Sequence, residues 1–287
     1  MRVRLFLFFF FSGYWLLSLQ AQNMTEDFPL SVNVGTLVGA GRYNIMDTYL
    51  SPGSQTNYQG WALRVLNERM KMTRLGNGKI SRQQQIQIDF ASVLNPAYTL
   101  KEYAGFIDYT LGYHYHFNVS QNLRLLAGGA VHALVGGVYN IQSSNNPASA
   151  KADLDLNLSG MALYRLKIGK MPLWIRYQLA IPFAGILFSP HYGQSYYEIF
   201  QLGNGSGVVK FSSFHNRWAM KNLLMVDIPL PKLTIRAGYM GSMYYLNVNG
   251  IKSHLNSRYF MIGVVRDFIM VGGKRDGRKG MHKSAYY

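Results

Sequence analysis

The chain has 287 residues, with 29 Lys and Arg against 13 Asp and Glu, a formal net charge of +16, and no cysteine. The missing cysteines exclude disulfides, cysteine-ligated metals and thiol nucleophiles together. A mean hydropathy near zero excludes a bundle of membrane helices, which would show several runs of about 20 apolar residues.

Residues 1–22 read as a secretory signal peptide. Arg2 and Arg4 supply the positive start, Leu5 to Leu19 the apolar run, and Ser18-Leu19-Gln20-Ala21 the small residues of a cleavage site. The expected mature start is Gln22 or Asn23. In an exported chain the basic balance does not point to nucleic acid, and no nucleic-acid partner is expected.

The rest of the chain predicts ten strands: Leu30–Tyr43, Tyr58–Arg74, Lys79–Ser92, Tyr103–Asn118, Asn122–Val138, Ala152–Ile168, Met171–Leu187, Ser213–Pro229, Lys232–Asn247 and Ser257–Phe268. The fourth shows why. Tyr103, Gly105, Ile107, Tyr109, Leu111, Tyr113, Tyr115 and Phe117 alternate with Ala104, Phe106, Asp108, Thr110, Gly112, His114, His116 and Asn118. A period of two sustained this long means a strand with a different solvent on each face. Soluble strands usually stop at about five or six residues.

Connections alternate long and short. The short ones are Asn77-Gly78, Val119-Ser120-Gln121, Gly169-Lys170 and Leu230-Pro231; the long ones are 44–57, 93–102, 139–151, 188–212 and 248–256. Asn-Gly suits a type I′ hairpin. Bacterial barrels put short turns in the periplasm and long loops outside. The expected fold is all-β: an antiparallel up-and-down transmembrane β-barrel of about ten strands. It covers residues 23–270 and is followed by a basic periplasmic tail over 271–287.

Alternation then assigns faces. In the sixth and seventh strands, Leu154, Leu156, Leu158, Ile175, Tyr177, Leu179, Ile181 and Phe183 are expected in lipid. A lumenal polar network is expected from Asp108, His114, His116, Arg124, His132, Asp153, Asp155, Arg165 and Arg176. A three-residue turn after Asn118 would set Asp108 opposite His132 and His116 opposite Arg124. A slip by one residue would push Arg124 and His132 into lipid.

Signal peptide, ten-strand meander, absent cysteine, tyrosine-rich loops and basic tail together resemble a family of Bacteroidetes-type outer-membrane barrels of unknown function. The resemblance implies the barrel fold and carries no functional residue across.

No catalytic motif stands out. His114 and His116 share a face, but a metal site needs a third ligand, and neither a metal nor a cofactor is expected. Asp153, Asp155 and His191 would lie near the outer mouth, which leaves an outer-rim hydrolase as one alternative. Lumenal Arg and Lys leave a narrow pore for small polar or anionic solutes as another. The leading expectation is a filled-lumen barrel serving as a surface-binding or structural protein. Its expected partners are anionic lipid head groups at the periplasmic rim and a glycan or small ligand at the external loops. Tyr192, Tyr196 and Tyr197 of the longest loop are the residues expected to meet such a ligand, over a flexible tip at Gly203–Gly207.

Overall fold

Ten alternating segments of this length can satisfy their backbone hydrogen bonds inside lipid only by closing into a barrel. The computed structural model describes residues 31–52, 55–143, 146–169, 171–230, 233–269 and Ala285. The signal peptide and nearly all of the basic tail lie outside the described residues.

The strands are β1 (Ser31–Asp47), β2 (Tyr58–Met72), β3 (Ile80–Leu94), β4 (Lys101–Asn118), β5 (Leu123–Asn140), β6 (Ala148–Ile168), β7 (Met171–Phe188), β8 (Val209–Ser213), β9 (Arg217–Pro229), β10 (Thr234–Val248) and β11 (Ile251–Ile269), with a short helix α1 (Tyr196–Phe200) between β7 and β8. Neighbours pair antiparallel in chain order, and β1 pairs β11 from Ser31↔Ile269 to Asp47↔Ser253, which closes the barrel. β8 and β9 both pair β7, at Phe188↔Val209 and Ala180↔Lys221, so they form one interrupted wall strand and the barrel has ten strands.

The faces are inverted relative to a water-soluble protein. On β4 the lumenal Glu102, Phe106, Asp108, Thr110, His114 and His116 are buried, while Ile107, Tyr109, Tyr113, Tyr115 and Phe117 are exposed. The same holds for Trp61, Leu63 and Val65 on β2 and for Ile86, Ile88 and Phe90 on β3. An apolar outer belt around a polar interior is the arrangement of a transmembrane barrel. Among the described residues no helix is long and apolar enough to cross a membrane.

Four expectations change. The connection expected over 248–256 is a two-residue turn, because β10 runs to Val248 and β11 begins at Ile251. Asn249 (φ 54) and Gly250 (φ 78) supply the two left-handed residues of a type I′ hairpin. Conversely, the turn around Asn77-Gly78 is longer than two residues. Thr73 N–H bonds Ile80 O at 2.8 Å, and Gly76, Asn77 and Gly78 all take positive φ.

The β4–β5 register is two residues from the expected one. Asp108 faces Leu134, Thr110 faces His132, His116 faces Leu126 and Asn118 faces Arg124. The turn holds four residues, 119–122, with the N–H groups of Val119 and Ser120 both bonded to Leu123 O. The parity argument survives, since a shift of two keeps every side chain on its face. Lastly, β6–β7 pairing jumps from Leu156↔Ala184 to Asn157↔Pro182. Phe183 is therefore the extra residue of a bulge and not a regular lipid-facing position. Beyond it the exposed residue is Ile186 and the buried one Leu187.

At the short-turn end the lumen holds an apolar cluster. Met70, Met72, Leu126, Met161 and Leu163 are buried together, and Ala285 packs among them.

Candidate functional site

The lumen is crossed by two clusters of charged side chains. The cluster nearer the short turns centres on Glu68, buried on β2 between Leu66 and Met70. Its carboxylate accepts from Arg176 (2.8 Å), Arg236 (2.6 Å), Gln83 (2.6 Å) and Gln85 (2.9 Å). Arg236 also grips Asp227 with Nε and Nη2 at 2.6 and 2.7 Å. Arg236 is fully buried. A planar guanidinium suits such bidentate pairing in a desolvated place.

The cluster nearer the long loops centres on His132. Its Nε2 lies 2.7 Å from Asp108 Oδ2 and its Nδ1 3.2 Å from Asp155 Oδ2. Lys221 bonds Asp108 and lies 3.0 Å from His132 Nε2. Arg217 clamps Asp155 with both terminal nitrogens, one at 3.0 Å, and reaches Asp153 at 3.6 Å. Across the lumen Arg64 makes a bidentate pair with Asp89 and stacks on the Tyr259 ring at 4.2 Å. The charged groups just named, with Lys151, Asn157 and Tyr244, line a cavity of about 60 Å³. That is room for about two waters at their liquid volume of about 30 Å³ each.

Chemically, each cluster cross-links strands far apart in sequence while balancing opposite charges. Taking one charge from such a buried set costs more than the set contributes as a whole. Among the described residues no His, Cys, Asp or Glu group has the arrangement of a metal site. Two serine–histidine contacts do occur, Ser81 Oγ to His116 Nε2 at 2.8 Å and Ser159 Oγ to His114 Nε2 at 2.9 Å. All four side chains are buried in the lumen wall and pack the interior.

The expected network residues therefore divide. Asp108, His132, Asp153 and Asp155 meet at the outer cluster, and Arg176 joins the inner one. His114 and His116 bond serines, not each other or Arg124. Arg124 is half-buried opposite Asn118, because the wider turn moves it away from His116. Arg165 lies at the short-turn rim with its guanidinium over Trp174 at 5.6 Å. Neither of these two arginines joins a cluster. The network expected from the sequence lacked Glu68, Arg64, Arg217, Lys221, Asp227 and Arg236.

The longest loop packs on the rim. Ser195 and Glu198 form a capping box on α1: Ser195 Oγ accepts from Glu198 N–H, and Ser195 N–H donates to the Glu198 carboxylate at 2.7 Å. These bonds hold the Glu198 carboxyl below the usual range. Tyr196 explains why the helix sits here. β6 outruns β7, whose last pair is Ala152↔Phe188, so the Ala150 N–H lacks a strand partner and donates to Tyr196 Oη at 2.7 Å. The Tyr196 ring stacks on Phe188 and Phe200 at 6.4 and 6.3 Å. Tyr49 donates its hydroxyl to Gln194 O at 2.8 Å, and burial raises its phenol pKa. Tyr196 is thus committed to structure, whereas Tyr192 and Tyr197 are exposed.

Residues 3–275 match the family model described as Protein of unknown function (DUF3316). No curated protein matches the sequence. Among solved structures the chain is similar to the outer membrane protease OmpT from Escherichia coli, at 10% identity and a TM-score of 0.42, with 87% of this chain and 99% of that one covered. It is similar to the transport unit of the autotransporter AIDA-I from Escherichia coli at 9% identity and 0.40, with 90% and 97% covered. It is also similar to the translocator domain of the autotransporter NalP from Neisseria meningitidis at 10% and 0.37, with 90% and 95% covered. The barrel rests on the strand pairing and face chemistry of this chain.

Proposed function

The chain belongs to the DUF3316 family, and from that premise we propose that it is an outer-membrane β-barrel with a filled, non-conducting lumen, acting as a surface-binding or structural protein. The observation that carries this reading is the pair of charged clusters spanning the lumen from opposite walls. Glu68 on β2 reaches Arg176 on β7, and Asp108 on β4 reaches Lys221 on β9. Ten strands enclose little more than the eight whose interior side chains just fill.

The short turns face the periplasm in this reading and the long loops face outward. Residues 1–22 are a cleaved export signal and 271–287 a basic segment at the periplasmic end, with Ala285 packed into the lumen there. Lys71, Arg74, Lys79 and Arg82 at the short-turn end favour anionic head groups, and a glycan or small ligand would meet the exposed Tyr192 and Tyr197. Single-channel recording on purified protein in planar bilayers tests the proposal. Silence under an applied voltage is expected, and reproducible conductance steps would replace the filled barrel by a pore.

A further inference from the structure

We infer that Arg42 and Arg258 form a site on the outer wall of the barrel for the phosphate of a lipid head group in the outer leaflet, specifically phosphorylated lipid A. The two arginines are direct cross-strand partners at the β1–β11 seam. Partners in an antiparallel pair have Cα atoms about 4.5–5.5 Å apart, and like charges placed so oppose each other. Both side chains point outward and are exposed. Among the described residues neither makes a salt bridge or a side-chain hydrogen bond. The nearby carboxylates cannot help: Asp47, Glu68, Asp89 and Glu102 all face the lumen and are buried. A like-charged pair with no internal counter-ion is satisfied by an anion from outside.

The depth of the pair says which anion. Below Arg258 the outward face of β11 carries Phe260, Ile262 and Val264, all exposed, and then Arg266. Arg258 to Arg266 spans about 26 Å along a strand at about 3.3 Å per residue. With a tilt of about 35–45° this becomes roughly 20 Å of height, close to the apolar belt of about 25 Å. Arg258 therefore stands at the upper edge of that belt. Above it the outward face turns polar, with Asn44, Asn256, His254 and Lys252. Asn256 donates to Tyr245 Oη at 3.0 Å. Trp61 is the β2 partner of Arg42 and Gly241 the β10 partner of Arg258. Two guanidinium forks, with an aromatic ring on one flank and a glycine on the other, suit the oxygens of a phosphate whose acyl chains lie down the belt.

This site rests on the outer-membrane reading, so the test separates the two. Quenching of tryptophan fluorescence by brominated lipid reports insertion for every variant. Native mass spectrometry of the detergent-solubilised barrel then measures retention of three probes: phosphorylated lipid A, dephosphorylated lipid A and inorganic phosphate. Arg42→Gln/Arg258→Gln is expected to weaken binding of phosphorylated lipid A by about tenfold or more with insertion unchanged. Lys101→Gln, three strands away at the same end, is expected to bind as wild type does. Dephosphorylated lipid A should bind wild type as weakly as the phosphorylated form binds the double variant, and inorganic phosphate should not compete. Equal retention by the double variant, equal binding of dephosphorylated lipid A, or competition by inorganic phosphate would each overturn the site. Loss of quenching in wild type would instead overturn the membrane placement.

Discussion

Glu68 offers the sharpest perturbation of the filled lumen. It accepts from two arginines and two glutamines, and Asp227 also pairs with Arg236. Glu68→Ala takes the shared carboxylate away from both Arg176 and Arg236. Breaking a buried ion pair from one side costs about 3–5 kcal/mol, because a charge remains without its partner. Water entering the space vacated by the carboxylate favours the lower end, about 3 kcal/mol. Glu68→Gln keeps the shape and an acceptor oxygen, and should cost about 1–3 kcal/mol. Removing the cation as well, in Glu68→Ala/Arg176→Met, should recover part of the loss, with a coupling of about 1–3 kcal/mol. Urea unfolding in lipid vesicles, followed by tryptophan fluorescence, measures these proteins together with the single variant Arg176→Met that closes the cycle. A Glu68→Ala barrel within about 0.5 kcal/mol of wild type, or strict additivity in the double variant, would refute the reasoning.

Three further outcomes are expected. Tyr196→Phe removes the acceptor of the Ala150 N–H and should cost about 1 kcal/mol, seen as faster hydrogen exchange at the outer end of β6 alone. Gly250→Ala places a Cβ on a residue at φ 78 and 3.3 Å from Tyr192 Cβ; it should destabilise the barrel by about 1–2 kcal/mol, read by urea midpoint, where Asn256→Ala should not act through the backbone. The Glu198 carboxyl is held low by its bonds to Ser195, so its contribution to the α1 cap is complete above the ordinary carboxylate range. It is lost as pH falls through the lowered value. Exchange protection of residues 195–202 should therefore hold at neutral pH and collapse in strong acid, and Glu198→Gln should remove that pH dependence.

What the sequence made legible follows from where contrast between the two faces is large. Within the belt one face meets lipid and the other a polar lumen, so β4 could be read residue by residue. Above the belt the outward face meets water. Lys252, His254 and Asn256 then alternate with Ser253 and Ser257, the contrast vanishes, and the start of β11 read as a loop although Asn249-Gly250 marked its turn. β2 hid its charges differently: its lumenal side mixes Ala62, Leu66 and Met70 with Arg64 and Glu68, so neither face looked polar. The partners of those charges lie far along the chain, as Arg236 does from Glu68. Local alternation gives a residue's face but not which opposite wall it meets. The β4–β5 register failed by two for a related reason. Both registers keep all polar side chains lumenal, and turn length alone chooses between them.

The central claim is that one face of each strand meets lipid and the other a packed interior. The absence of cysteine permits a single-cysteine scan along β4, from Tyr103 to Asn118, with a spin label at each position in lipid vesicles. The odd-numbered positions should show strong relaxation by oxygen and weak relaxation by a polar nickel chelate, as lipid exposure requires. The even-numbered positions from Ala104 to His116 should be inaccessible to both. Strong chelate access along the even positions would reveal an open, water-filled pore, and chelate access along the odd ones would contradict the membrane barrel itself.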